Sequence, residues 1–366
     1  MPAFSGQLNA NEIFAALYNM IISQEVRADN IAGTFSSLVD KSRVDGSLYG
    51  DTKLFYSPDV LKSRAWLGDN EATNLLSVNR PAAPECQAIT LDVFRQIDIT
   101  VDNYLSKRAW IDEGAFASFN GVILGMIRET KRVYDATTFN AYVGTAVASA
   151  ARAQVTVSFS GITAPATTAD DESEARLQAQ IVAQTLADLF IDLKDVSRDF
   201  NDYAQLKSYN LEDLVVVWNS AWVNKIKSID LPTIFHKEGL IQKFEEEVLP
   251  ARYFGTVNAS SGTTGASNTT VRSLYEMDYT VGGQTYHVFA GDLLPNSCAY
   301  AAGDTYTISG DIICKVMHKK SVPFMSAFEV GTSFFNARSL TENHYLTWGH
   351  NTLEYLKSYP FIVVKI

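Results

Sequence analysis

Cysteine is scarce: Cys86, Cys298 and Cys314 are the three in 366 residues. An odd number at wide spacing argues against the disulfide framework of a small secreted protein. Long apolar runs are missing too. No stretch approaches the roughly 18 uninterrupted apolar residues that a membrane-spanning helix needs. Met1 to Gln24 lacks a basic leader followed by a continuous apolar core, with polar residues interrupting it around Ile13-Phe14-Ala15-Ala16-Leu17-Tyr18-Asn19. No signal peptide is therefore expected, and folding in a cytosol is. Charge is light and unbalanced, at 19% charged residues and a net charge of −11. An acidic chain lacks the broad basic face of a sequence-specific DNA binder, although one small basic patch remains compatible.

Catalytic signatures are absent as well. The sequence has no Gly-rich phosphate loop, no Gly-x-Ser-x-Gly elbow and no His-Glu-x-x-His, so no catalytic, cofactor-binding or metal-ligating residue is expected. Cys314 and His318 stand four apart, a spacing open to a nucleophile or a metal ligand pair. No second such pair lies nearby and Cys314 sits in an apolar strand, so a packed core thiol is expected. Glu245-Glu246-Glu247 is expected on a helix, as a solvated or inter-subunit face, and Asp170-Asp171-Glu172 at a helix N-terminus. His287, His344 and His350 have no spacing that singles them out.

What is present is a distinctive order of elements. A short amphipathic helix follows Asn9 and Asn11, with Ile13, Leu17, Met20 and Ile21 as its apolar stripe. That stripe docks either on the chain's own core or on a neighbour. From Leu48 to about Pro84 turn signals replace periodicity. Ile89 to Val101 then alternates with period two, with Arg95 and Phe94 as the exceptions on their respective faces. Thirteen residues of strand span about 43 Å, more than an ordinary domain accommodates but suitable for a projecting arm. Two shorter strands broken near Phe94-Arg95 are the alternative.

A long helix follows, with Glu113 in its first turn and Phe116, Phe119, Ile123, Ile127 and Tyr134 at helical spacing. Arg128, Lys131 and Arg132 cluster on another face of it, where they could meet phosphates without sequence selectivity. Glu129 and Asp135 are the acidic neighbours, both read as lying off that face. Gln154 to Ser160 alternates as a strand. A small, polar segment from Gly161 to Asp171 marks a domain boundary before a second long helix, about Glu172 to Leu206. Leu214 to Trp218 is a short buried strand, with helical patterns from Trp222 to Ile229 and Lys237 to Leu249. Thr256 to Thr270 has the composition of an exposed loop. A hairpin from Tyr275 to Phe289 turns at Gly282-Gly283. Further strands follow at Tyr306-Thr307-Ile308, Ile312 to Val316 and Phe361 to Ile366. A closing strand must pair into an earlier sheet, so the first and last thirds are expected to share a domain with the middle inserted.

This order resembles the major capsid proteins of tailed bacteriophages, the Hong Kong ninety-seven fold. Asp92-Val93-Phe94-Arg95-Gln96-Ile97-Asp98-Ile99-Thr100-Val101-Asp102 is similar to the returning strand of that family's extended loop, and Glu113 to Asp135 to its spine helix. Leu249-Pro250-Ala251-Arg252-Tyr253-Phe254-Gly255 and Tyr359-Pro360-Phe361-Ile362-Val363-Val364 share its texture. The resemblance implies an α+β fold: an N-terminal arm (1–47), an extended two-stranded loop (48–107), a peripheral domain with the spine helix (108–170), an inserted axial domain (171–320) and a C-terminal return into the peripheral domain (321–366).

It also implies a non-enzymatic subunit that self-assembles, through pentamers and hexamers, into an icosahedral or elongated shell around double-stranded DNA. Scaffolding and portal proteins would be partners, and the protein would reside in the virion after assembly in the host cytoplasm. Tyr49, Phe55, Tyr56 and Trp66 in the extended loop would contact neighbouring subunits. Arg128, Lys131 and Arg132 would face the lumen and touch packaged DNA non-specifically. An encapsulin-type compartment shares the fold and would differ in holding protein cargo. A cytosolic enzyme with an unrecognised site is the reading from a different class, separable by a stable monomer with a deep polar pocket.

Overall fold

The computed structural model describes residues 37–45, 52–66, 78, 80–102, 113–160, 162, 171–227 and 245–366. The N-terminal amphipathic helix of the sequence reading lies outside them. The chain forms two compact units, one from residues 1–51, 90–136 and 324–352, the other from residues 52–89, 137–323 and 353–366.

The first unit is built on three long antiparallel strands. β3 (Glu85–Asp102) is the strand anticipated from the alternation, at 18 residues longer still. β15 (Phe324–Asn336) and β16 (Thr341–Asn351) form a ribbon beside it. β1 (Arg43–Asp45), which follows the short helix α1 (Ser37–Ser42), runs parallel to the start of β15. Period-two alternation puts odd-numbered side chains of β3 inward: Ile89, Leu91 and Val101 are buried, and Val93, Arg95, Ile97 and Ile99 partly so. Arg95 is no exception to the pattern. Its guanidinium lies 5.2 Å from the ring centre of Tyr134, on the long helix α2 (Glu113–Thr145), so a cation–π contact keeps it on the inner face.

The strand does contain an irregularity, at Asp92 rather than at Phe94-Arg95. His350 opposes Val93 and Asn351 opposes Leu91, leaving Asp92 as the extra residue of a bulge. Its carboxylate accepts hydrogen bonds from the Thr352 backbone N–H (2.6 Å) and hydroxyl (2.7 Å).

The second unit has a five-stranded sheet in the order β4 (Gln154–Thr156), β17 (Phe361–Lys365), β14 (Ile312–His318), β5 (Leu214–Asn219), β6 (Glu245–Leu249). Every residue of β5 and β14 is buried, which explains why both appear as apolar runs without alternation. Helix α3 (Asp171–Lys194) opens inside the acidic run anticipated as a helix N-terminus. It buries Val182, Leu186, Leu189, Phe190 and Leu193 against Val216, Trp218, Ile313, Val316, Ile362 and Val364. Each such side chain contributes about 1.5–3 kcal/mol by leaving water. The short helix α4 (Ser220–Lys227) closes that core with Trp222, whose indole N–H donates to the Gly310 carbonyl at 3.0 Å.

Four expectations are corrected here. α3 ends at Lys194 rather than near Leu206, because Ser197 and Lys207 pair across a loop that carries the chain away. Glu245-Glu246-Glu247 lies in strand β6, parallel to β5, not on a helix. The closing strand β17 pairs with β14 and β4, within the second unit. The link from the C-terminal third back to the first third is made by β16 against β3 instead. Finally, Thr256 to Thr270 is not one loop, since it contains part of β7 (Gly255–Val257) and all of β8 (Gly262–Thr263).

A smaller group of strands completes the second unit. β7 and β9 (Val271–Ser273) flank β13 (Thr305–Ile308), and β8 pairs with β12 (Ala299–Tyr300). β10 (Met277–Val281) and β11 (Gln284–Val288) form the anticipated hairpin. Gly282 (φ 59°) and Gly283 (φ 83°) both take left-handed conformations at its turn, the pair of positive φ values a two-residue type I′ turn requires. Among the described residues no helix is long and apolar enough to cross a membrane.

Candidate functional site

The residues singled out by sequence fall on two surfaces. Of the four aromatic contact candidates, Tyr49 lies outside the described residues. Phe55 is partly buried on β2 (Thr52–Ser57), Tyr56 is exposed, and Trp66 is 91% exposed. Leu54, Val60 and Leu61 are exposed beside them. So much apolar area on one short segment is unusual for a surface facing only water.

The base of this segment is fastened. The Ser57 hydroxyl donates to the Gln205 side-chain oxygen at 2.5 Å and accepts from the Lys207 ammonium at 2.6 Å. Asp59 accepts from the backbone N–H groups of Leu206 (3.0 Å) and Val60 (2.8 Å) and from Arg198 (3.0 Å). The Leu206 N–H, the Arg198 guanidinium and the Val60 N–H together hold its carboxyl down to about 2. The exposed apolar residues from Val60 to Trp66 therefore leave an anchored point.

The second surface is on α2, in the first unit. Arg128 and Arg132 are exposed, but Lys131 is buried and committed. Its ammonium reaches Glu329 at 2.7 Å and Asp135 at 3.9 Å. Asp135, expected off the basic face, lies on it. Four residues after Lys131 on a helix, it is a same-face neighbour. The Asp135 carboxylate also accepts from Arg43 at 3.1 Å. Burial still outweighs these cations and leaves its carboxyl above the usual range. Nearby, the Tyr134 hydroxyl and His350 Nε2 are 2.7 Å apart, and Phe324 stacks on the imidazole at 5.3 Å.

Cys314 and His318 lie on β14. The Cys314 thiol is fully buried and its pKa is raised by that burial. His318 is buried against the Tyr359 ring at 4.4 Å, and desolvation lowers it to about 4. A thiol held protonated and a desolvated imidazole are packed groups, not an activated nucleophile and base. Among the described residues no cluster of His, Cys, Asp and Glu is arranged to hold a metal ion.

One arrangement escaped the sequence reading. His287 has Glu276 at 3.0 Å on one ring nitrogen and Asp278 at 2.7 Å on the other. The signal was available, because a two-residue turn at Gly282-Gly283 places Asp278 directly opposite His287.

A family model described as Phi29-like phage major capsid protein matches residues 4–365. Among the solved structures that match, two illustrate the shared fold at low identity. In the capsid structure of Staphylococcus phage Andhra the match has a TM-score of 0.60 at 10% identity, covering 93% of this chain and 87% of that one. A chain in a structure titled for the head fiber and inner core protein gp22 of native bacteriophage P68 matches with a TM-score of 0.55 at 9% identity, covering 93% and 88%. No curated protein matches. With the match running over nearly its whole length, this chain belongs to the Phi29-like phage major capsid protein family.

Proposed function

We propose that this capsid subunit builds a closed icosahedral or elongated shell around double-stranded DNA by wrapping part of each chain over its neighbours. The observation that carries the reading is the anchored, apolar segment of residues 52–66, exposed up to Trp66. In the proposed architecture residues 48–107 form the extended loop, and Phe55, Tyr56 and Trp66 pack on adjacent subunits, with Tyr49 assigned the same role. α2 is the spine helix of a peripheral domain, and about 171–320 forms the axial domain around pentamer and hexamer centres. Scaffolding and portal proteins are the proposed partners, and assembly takes place in the host cytoplasm. Heterologous contacts of this kind close into rings when the rotation permits. On α2, Arg128 and Arg132 are the residues proposed to face packaged DNA. Lys131, also a candidate, is held by Glu329 and Asp135.

Negative-stain electron microscopy of the expressed protein, with and without a scaffolding partner, tests this. Closed particles of uniform diameter are expected. A subunit that stays monomeric across concentration, salt and added scaffold overturns the proposal.

A further inference from the structure

A cleft of about 460 Å³ lies between α2 and the β15–β16 ribbon in the first unit. Strand register defines its floor. Gly331 opposes Leu346 and Ser333 opposes His344, so these four belong to one face of the ribbon. Glu329 is on that same face two residues earlier, and its contact with Lys131 shows that the face is the one under α2. Ile127 and Arg128 supply the helix wall.

We infer that this cleft binds a phosphate group of a nucleic-acid backbone. The inference rests on the proposal that Arg128 faces packaged DNA, and it names the groups that would receive a phosphate there. Arg128 supplies a guanidinium fork, whose geometry matches phosphate oxygens. Ser333 contributes a hydroxyl and His344 an imidazole on the facing wall. Arg128 has no carboxylate partner among the described residues. The one carboxylate lining the cleft, Glu329, is balanced by Lys131 at 2.7 Å, which leaves Arg128 as the uncompensated charge. Glu342, two residues before His344 on the same strand face, is not part of the lining.

Gly331 provides the room: a Cβ placed there would meet no atom within 4 Å. Ile127 and Leu346 make one side of the space apolar, which strengthens the charged contact. A guanidinium, a hydroxyl and an imidazole in one lining suit a phosphate better than the planar carboxylate of another protein chain.

Fluorescence anisotropy of a short labelled DNA duplex with the unassembled full-length subunit, over a range of low salt, tests this. Arg128→Gln is expected to weaken binding and to reduce the log–log salt slope by about 0.9, the effect of one neutralised phosphate on B-DNA. Gly331→Val fills the cleft without removing charge and is expected to weaken binding to a similar extent. Gly331 has no positive φ and valine suits a strand, so this variant should melt like the parent. Arg338→Gln removes one charge from the loop joining β15 to β16 and should leave affinity unchanged.

Wild-type affinity in Gly331→Val, equal losses in all three variants, or no duplex binding by the parent would each overturn the inference. So would variants that alter self-association while leaving duplex binding intact, since the cleft would then be a protein contact. Duplex meets free subunits from every side, so the result does not depend on how α2 is oriented in a shell. Orientation is read separately, by comparing labelling of Arg128→Cys in DNA-filled and empty particles.

Discussion

The Lys315 ammonium donates a hydrogen bond to the carbonyl oxygen of Ala146 at 2.7 Å, from a side chain with no exposed surface. Ala146 directly follows the last residue of α2, so the lysine satisfies a carbonyl at the negative end of the helix dipole. Its ring neighbour is Phe361 at 5.5 Å, and its cross-strand neighbours Val217 and Val363 carry no charge. Desolvation by this apolar surround lowers the Lys315 pKa well below its ordinary 10.5.

A depressed lysine pKa means that the folded state binds its proton less tightly than the unfolded chain. Stability contributed by this group is therefore complete above pH 10.5 and is lost as pH falls from there toward the folded-state pKa. Lys315→Met keeps most of the packing and removes the titration. Thermal melts should show the variant gaining most over the parent at neutral pH, with the gain shrinking toward pH 10. For a unit of this size about 1 kcal/mol shifts Tm by roughly 2–4 °C. A lower Tm for Lys315→Met at pH 7 would mean that the charged form and its contact with the helix end prevail.

His350 makes the fold acid-sensitive for a related reason. It is buried, engaged with Tyr134 and stacked on Phe324, and burial lowers its pKa from 6.5. A folded pKa below the unfolded one gives stability that is present above pH 6.5 and lost as pH falls below it. Asp135 acts in the opposite sense: its raised pKa costs stability when it is ionised, and that cost disappears as it is protonated. The Arg95 and Asp92 charges also act on His350. Melts of His350→Gln and Asp135→Asn between pH 7.5 and 4.5 separate the two. The first should flatten the loss on acidification, and the second should steepen the net decline by removing the compensating gain. A parent whose Tm is pH-independent over this range, with both variants parallel to it, contradicts the assignment.

The exposed segment makes a prediction of a different kind. Tyr56 and Trp66 bury little area in the isolated subunit, so Tyr56→Ala with Trp66→Ala should change the subunit's melting by less than about 0.5 kcal/mol. Hot-spot residues at interfaces, enriched in Trp and Tyr, cost about 2 kcal/mol or more when truncated, and assembly repeats that loss at every contact. Light scattering of assembly reactions should then show the critical concentration rising at least tenfold. Unimpaired assembly would remove these residues from the interface.

How much of this was legible beforehand depended on whether the deciding contact was local. In β3 each residue reports its own face through period-two alternation, so even an 18-residue strand could be read. Arg95 looks like an exception in the sequence only because its partner, Tyr134, lies 39 residues away. Glu245-Glu246-Glu247 was assigned to a helix because edge position beside β5, and a partner such as Lys319 at 3.0 Å from Glu245, cannot be seen in the charge pattern. On α2 the spacing of Arg128, Lys131 and Arg132 was visible. That Lys131 would be drawn into an ion pair was not, since Glu329 arrives from 198 residues further along the chain.

Two glycines of α2 provide the sharpest opposition between local propensity and tertiary structure. Replacing a helical glycine by alanine should stabilise by about 1 kcal/mol on propensity alone. At Gly125 a Cβ meets nothing within 4 Å, so Gly125→Ala should deliver that gain. At Gly144 the same atom would sit 2.1 Å from the Tyr253 carbonyl oxygen and 2.6 Å from its carbon. Those are backbone atoms of the turn before β7, with Tyr253 itself buried, so no side-chain rotation relieves the clash. The helix end or the Tyr253 backbone must shift, and overpacking of this sort costs about 1–3 kcal/mol or more. Thermal denaturation should show the two substitutions moving Tm in opposite directions, Gly125→Ala upward and Gly144→Ala downward. If Gly144→Ala matched Gly125→Ala, the close approach of α2 to Tyr253 would be wrong.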